Sequence, residues 1–154
     1  MTTHDITDPV TAAWTRFQRM HARLTDRLNR EIARETGLSQ ADFEILCALI
    51  QQPDTPVRAL ALRCGIEWEK SRLSHQLRRM EQRNLVTREV CDEDNRSILI
   101  RVTPTGRSLA EAARHLYDRA LTHYVADSLT ADQIDALDEI SESILAQLGD
   151  LAHS

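Results

Sequence analysis

Apolar residues recur along this chain at two periods, and the switch between them divides it. Val10, Trp14, Phe17, His21, Leu24 and Leu28 are spaced four and three apart, and Ile32 extends the row. This predicts a long amphipathic helix, opened by Asp8-Pro9 and closed near Gly37. Ser39 and Asp42 form a capping box ahead of Phe43, Ile45, Leu46, Leu49 and Ile50, a largely buried helix that must stop before Pro53. Thr55-Pro56 predicts a short helix carrying Val57, Leu60, Ala61 and Leu62, ended by Cys64-Gly65. A further helix follows over 66–84, with Leu73, Leu77 and Met80 on one face and Asn84 as a left-handed cap. The period then changes to two. Val86, Arg88 and Val90, then Ile98, Ile100 and Val102, predict a hairpin with a polar tip at Asp92–Arg96. Thr103-Pro104 restarts helix over Leu109, Ala112, Ala113, Leu116, Ala120, Leu121 and Tyr124 to about Ala126. Thr130 to Gln133 is a capping box opening a last helix with Ile134, Leu137, Ile140, Ile144, Leu145, Leu148 and Leu151.

Short helix, tight turn, polar helix and hairpin in succession form a winged helix-turn-helix. The fold class expected is mainly α with a small two- to three-stranded β wing, and with N- and C-terminal helices forming a dimerisation region. Residues 1–38 would be the N-terminal dimerisation helix, 39–106 the winged helix-turn-helix, and 107–154 the C-terminal dimerisation helices. The outer face of the polar helix carries Ser71, Arg72, Ser74, His75, Gln76, Arg78 and Arg79. From Lys70 to Arg79 no acid occurs, whereas a solvated face mixes both signs. Such side chains suit base edges and phosphates, with arginine able to bind guanine in a bidentate way. The wing tip offers Asp94, Asn95 and Arg96, with Arg96 suited to a narrow minor groove.

The net charge of −5 argues against a DNA binder until it is divided along the chain. Residues 1–54 carry −2, residues 55–107 carry +4, and residues 108–154 carry −7. Local field governs phosphate binding, so the basic middle third is the relevant part. Six arginines of the first helix (Arg16, Arg19, Arg23, Arg27, Arg30 and Arg34) gather opposite its apolar row, as a solvated face or as a stripe for phosphates or acids. Four Gly, four Pro and two Phe point away from a sandwich or barrel. No apolar run approaches the roughly 18 residues that span a bilayer. The opening MTTHDITDP lacks the features of a signal peptide, so a cytoplasmic protein with no membrane partner is expected. Cys47, Cys64 and Cys91 are widely spaced and form no disulfide framework, and no cluster has metal-ligand spacing. Neither a cofactor nor a catalytic constellation is implied, so the chain does not read as an enzyme.

These residues resemble the MarR (multiple antibiotic resistance regulator) family of bacterial transcription factors over about residues 8–150. The sharpest motifs are SRLSHQLRRMEQRNLVTR at 71–88, DNR at 94–96 and VTPTG at 102–106. The family has Gly-Leu-Val after its recognition helix, and Asn84-Leu85-Val86 stands here. The resemblance implies a homodimer that represses promoters and releases DNA when a small molecule binds. It places Ser74, His75 and Arg79 against bases or phosphates, and Arg96, positioned by Asp94, in the minor groove. Dimerisation would use Val10, Trp14, Phe17, Ile134, Leu137, Ile144 and Leu148. In the family, ligands enter a crevice between the dimer helices and the DNA-binding lobe. Trp14, Phe17, His21, Phe43, Cys47, His115 and Tyr117 are candidates for its lining, and each also reads as plain core or interface.

The leading reading is a sequence-specific, homodimeric repressor on a pseudo-palindromic operator, released by a small-molecule effector. Two alternatives stand beside it. One is a redox-responsive regulator acting through its cysteines, although the reactive first-helix cysteine of the family's peroxide sensors is absent. The other is a protein-interaction module on the same scaffold that binds no DNA.

Overall fold

The computed structural model describes residues 9–51, 55–91 and 94–151, with the backbone alone at 94–96, 150 and 151. Two compact units divide the chain, the first ending at Tyr117 and the second beginning at Asp118.

In the first unit, helix α1 (Pro9–Thr36) is followed by α2 (Gln40–Ile50). Gly37, at φ 73°, takes the left-handed turn between them. The capping box forms as its sequence predicts: the Asp42 amide donates to Ser39 Oγ at 3.1 Å, and the Ser39 amide donates to Asp42 Oδ2 at 2.9 Å. Only the C-terminal part of the α1 row is buried, at Leu28 and Ile32, whereas Val10, Trp14 and Phe17 are exposed.

Two local expectations are corrected. Val57 and Arg58 form strand β1 (Val57–Arg58) rather than the first turn of a helix, and α3 (Ala59–Ile66) starts after them. The reason is non-local: Val57 and Arg58 pair with Ile100 and Leu99. Gly65 also does not end α3. The left-handed residue is Glu67, at φ 56°, and the Glu67 and Trp68 amides both return to the Arg63 carbonyl. Helix α4 (Lys70–Gln82) consequently begins at Lys70 and not at the Glu67 turn.

Helix α4 buries Leu73, Leu77 and Met80, as its periodicity predicts. It ends in a left-handed Asn84 at φ 58°, where the Leu85 amide reaches back to the Met80 carbonyl at 3.0 Å. The substitution of Asn for the family's Gly is therefore accommodated by the same conformation. Strands β2 (Val86–Cys91) and β3 (Asp94–Val102) form the hairpin, and the sheet order is β1-β3-β2, all antiparallel. The backbone of 94–96 belongs to β3, so the polar tip is shorter than Asp92–Arg96, and residues 92 and 93 lie outside the described part.

Thr103 closes the hairpin. Its amide donates to the Leu85 carbonyl at 3.1 Å, and its hydroxyl donates to the Asn84 carbonyl at 2.7 Å. The same hydroxyl accepts the Gly106 amide at 2.9 Å, capping α5 (Pro104–Leu121). Gly106 packs so tightly that a Cβ there would lie 2.1 Å from the Leu85 oxygen. One core unites these elements, with Ile45, Leu46, Met80 and Ile100 at 0% exposure and Leu38, Ala110 and Ala113 equally closed.

The second unit contains the end of α5, a π turn over Thr122–Ala126, and α6 (Ala131–Leu151). The Thr130–Gln133 box forms in full, at 2.9 and 3.2 Å. Along α6, Ile134, Leu137, Ile140, Ile144, Leu145 and Leu148 are all exposed. Among the described residues, no helix is long and apolar enough to cross a membrane.

Candidate nucleic-acid interface

Helix α4 is held from behind by two carboxylates of α2. Asp42 is fully buried, and besides its cap it accepts Gln76 Nε2 at 2.8 Å and Arg83 Nη1 at 2.6 Å. Arg83 also donates through Nη2 to the Gly37 carbonyl at 3.0 Å, tying the end of α4 to the α1–α2 corner. A buried carboxylate needs this many donors to offset its lost hydration. Near the other end of α4, Glu44 accepts the indole Nε1–H of Trp68 at 3.2 Å. Trp68 is itself buried, and the Arg72 guanidinium lies over its ring, 3.6 Å from the centroid.

With its back fixed, α4 turns Ser71, Arg72, Ser74, His75, Arg78 and Arg79 to solvent, as the sequence predicts. Gln76 is the correction. It does not point fully outward: it is half-buried, and its amide donates to Asp42. The pattern of letters marks it as polar but does not say that a buried acceptor waits behind it.

A cleft of about 340 Å³ opens beside this face, among α3, α4 and the sheet. Arg58, Arg63, Lys70 and Arg88 line it with no acidic side chain, over an apolar floor that includes Leu60, Leu73 and Ile98. Sequence reading did not single out this set, because its members come from four elements. Arg58 reaches across to Ser97 Oγ at 3.2 Å. Arg88 is held by Glu81 through its side chain at 3.1 Å and through its amide at 3.1 Å. The side-chain hydrogen bond from Arg88 is the main reason that the Glu81 carboxyl titrates below its ordinary range. Arg88 is thus neutralised by Glu81, and it is Arg58, Arg63 and Lys70 that leave the cleft cationic and favour an anionic partner such as a phosphate backbone.

The wing residues Asp94, Asn95 and Arg96 have backbone positions in β3, and their side chains lie outside the described part. The candidates for an effector crevice separate into two groups. Trp14, Phe17 and His21 form a stacked ladder along α1, with centroids 5.2 and 6.0 Å apart. Phe43 of α2 and Tyr117 of α5 form a tilted pair at 5.6 Å. No ring contact joins the two groups among the described residues. Cys47 is half-buried in α2 and His115 is exposed. Among the described residues the three cysteines form no disulfide, and no group of three or more His, Cys, Asp or Glu able to hold a metal occurs.

A helix-turn-helix whose second helix presents a cationic, acid-free face, followed by a three-stranded wing, defines a winged-helix protein of the nucleic-acid-binding type. The particular family follows from comparison with known proteins. Residues 38–98 match the model of the MarR family. The chain is 26% identical over 121 residues to the multiple antibiotic resistance protein MarR of Escherichia coli K12, spanning 78% of this chain and 82% of that one. Among solved structures it is similar to AbsC, a MarR family transcriptional regulator from Streptomyces coelicolor, at a TM-score of 0.85 and 29% identity, covering 96% and 99% of the two chains. It is also similar to Sco3205 of the same organism, a MarR family transcriptional regulator solved in complex with DNA, at a TM-score of 0.84 and 26% identity, covering 93% of each chain. The chain thus carries a stretch that matches the MarR family model and is similar over most of its length to MarR family transcriptional regulators.

Proposed function

We propose that the protein is a sequence-specific, homodimeric repressor that binds a pseudo-palindromic operator and is released by a small-molecule effector. The observation that carries this reading is the exposed face of α4, where Ser71, Arg72, Ser74, His75, Arg78 and Arg79 meet no acid. Helix α4 lies in the major groove, and Arg63 and Lys70 of the neighbouring cleft take backbone phosphates. Arg96 enters the minor groove beside it, with Asp94 and Asn95 setting its approach. That Sco3205, a similar chain, was solved in complex with DNA supports DNA binding.

The homodimer rests on the exposed apolar rows of α1 and α6. Val10, Trp14 and Phe17 on the one, and Ile134, Leu137, Ile144 and Leu148 on the other, are more than a lone soluble chain ordinarily leaves in water. Residues 1–38 and 107–154 are thus dimerisation segments flanking the winged helix at 39–106. Two copies of α4 on a two-fold axis read half-sites about one DNA turn, roughly 34 Å, apart. The effector is an apolar or aromatic molecule contacting Trp14, Phe17, His21, Phe43, Cys47, His115 or Tyr117. It releases DNA only by binding the non-DNA state more tightly than the DNA-bound one. The working compartment is the cytoplasm.

Selection from random duplexes tests the reading. A palindromic consensus is expected, with affinity falling steeply as salt rises, and Arg96→Ala should weaken binding to it. Recovery of no consensus would favour a protein-interaction module instead.

A further inference from the structure

Arg72 differs from the other arginines of α4 in what lies against it. It occupies the first turn, which in a helix-turn-helix is the part of the recognition helix closest to base edges. A cation at that end of a helix works against the helix dipole, so the position is poor for stability alone. Its guanidinium is stacked on Trp68, four residues earlier, at 3.6 Å from the ring centroid. Trp68 is 7% exposed, and its indole N–H is tied to Glu44 of α2, so the platform cannot swing. Stacking engages the flat face of a guanidinium and leaves its N–H groups, which point outward in the plane, available. Arg83, Arg88 and Arg101 spend theirs on Asp42, Glu81 and Glu89, whereas Arg72 pairs with no carboxylate among the described residues.

We propose that Arg72 is the specificity-determining arginine of this interface, reading the O6 and N7 of one guanine per half-site, and that Trp68 and Glu44 are positioning residues that aim it. The proposal rests on the DNA-binding reading above and sharpens it. A planar fork held in one orientation loses little freedom on meeting a base, and bidentate donation distinguishes guanine from the other bases in the major groove. Among the described residues no ring lies beneath Arg78 or Arg79, and phosphate contact needs no such aim.

The test uses the full chain. The parent protein first selects a consensus from random duplexes. Parent, Arg72→Lys, Arg72→Ala, Trp68→Phe and Trp68→Leu are then titrated at constant salt with duplexes changed at one base pair at a time. Arg72→Lys and Arg72→Ala should each lose about tenfold discrimination at a single G·C pair per half-site, with the other positions unchanged. Trp68→Phe, which keeps a ring, should retain most of that discrimination, and Trp68→Leu should lose part of it. Arg72→Lys leaves the platform intact, so the test does not depend on Trp68→Leu folding. Uniform weakening on all duplexes, with a salt dependence lower by about one ion per arginine, would make Arg72 a phosphate clamp and overturn the proposal. So would unchanged discrimination, which would make Arg72 only a cover for the indole. A parent that selects no consensus overturns the DNA-binding reading and this proposal together, whereas a consensus that Arg72→Lys reads as the parent does overturns this proposal alone.

Discussion

Helices α4 and α6 carry the same kind of apolar row and meet opposite fates. In α4, Leu73, Leu77 and Met80 are 0–3% exposed, whereas in α6 Ile134, Ile140, Leu145 and Leu148 are 43–66% exposed. Both rows follow the helical spacing, so periodicity alone does not distinguish them. What distinguishes them is whether the chain supplies the opposing surface. For α4 it does, through α2 and the sheet, with the left-handed Asn84 closing its C-terminal end. For α6 the row stays exposed, and a second copy of the chain is the opposing surface proposed above.

The contrast is broken most severely by removing what anchors α4. Asp42→Ala removes the acceptor of Arg83, Gln76 and the Ser39 amide and should lower unfolding stability by about 2–3 kcal/mol in denaturant titration, since Arg83 is half exposed and is not left as a buried charge. Loss of less than ~1 kcal/mol would mean that α4 is held by apolar packing alone. Gly106→Ala comes next. Its methyl group meets the Leu85 carbonyl at 2.1 Å, and displacing that backbone should destabilise by about 1–3 kcal/mol, seen as a lower Tm. Neither loss should depend on protein concentration beyond the dependence the parent already shows.

Changes in α6 should behave differently. Ile144→Ser with Leu148→Ser should weaken self-association by roughly 1.5–3 kcal/mol per side chain, measured by sedimentation over a dilution series. The hydrogen-exchange protection of Leu77 and Met80 should persist in the separated chains. An unchanged association constant would show that α6 is covered by something other than a second copy.

The smallest effect concerns Glu81, at the exposed edge of α4. Its folded-state pKa is lowered by Arg88, so its contribution to stability is present above the ordinary carboxylate range and disappears as the pH falls through the lowered value. Glu81→Gln should slightly flatten the acid limb of a stability profile taken between roughly pH 6 and pH 3. Because the pair is substantially exposed, a large change there would be unexpected.

Much of α4 was legible in the sequence because its information is local. Leu73, Leu77 and Met80 announce the buried face, Asn84 the cap, and the run from Lys70 to Arg79 the outer surface. The misses are long-range. Val57 is a strand residue because Ile100 lies beside it, 43 positions away in the chain. Gln76 points inward because Asp42 is buried behind it, and the cleft cations converge only once two helices and the sheet are assembled. Glu67 rather than Gly65 takes the left-handed turn, although glycine is the obvious candidate for it. The Trp68–Arg72 stack is an intermediate case. Arg72 is legible as an outward residue of α4, but Trp68 stands before that helix begins, so its place beneath the guanidinium, set by Glu44, lay beyond the sequence.

The joint at Thr103 bears on how this architecture can be altered. The Thr103 amide and hydroxyl meet the carbonyls of Leu85 and Asn84, so both ends of the hairpin are fastened to each other at its base. Beyond the core residues Val86 and Ile100, the pairing with β1 and the Arg88–Glu81 tie, the outer part of the hairpin is a closed excursion from a fixed point. Extra residues at its tip add mainly loop entropy, about 0.6 kcal/mol for each doubling of a flexible loop, and transmit no displacement to α4 or α5. The wing is in that sense an interchangeable tool on a rigid handle. Its length and its reach along a groove can change while the recognition helix keeps its seat.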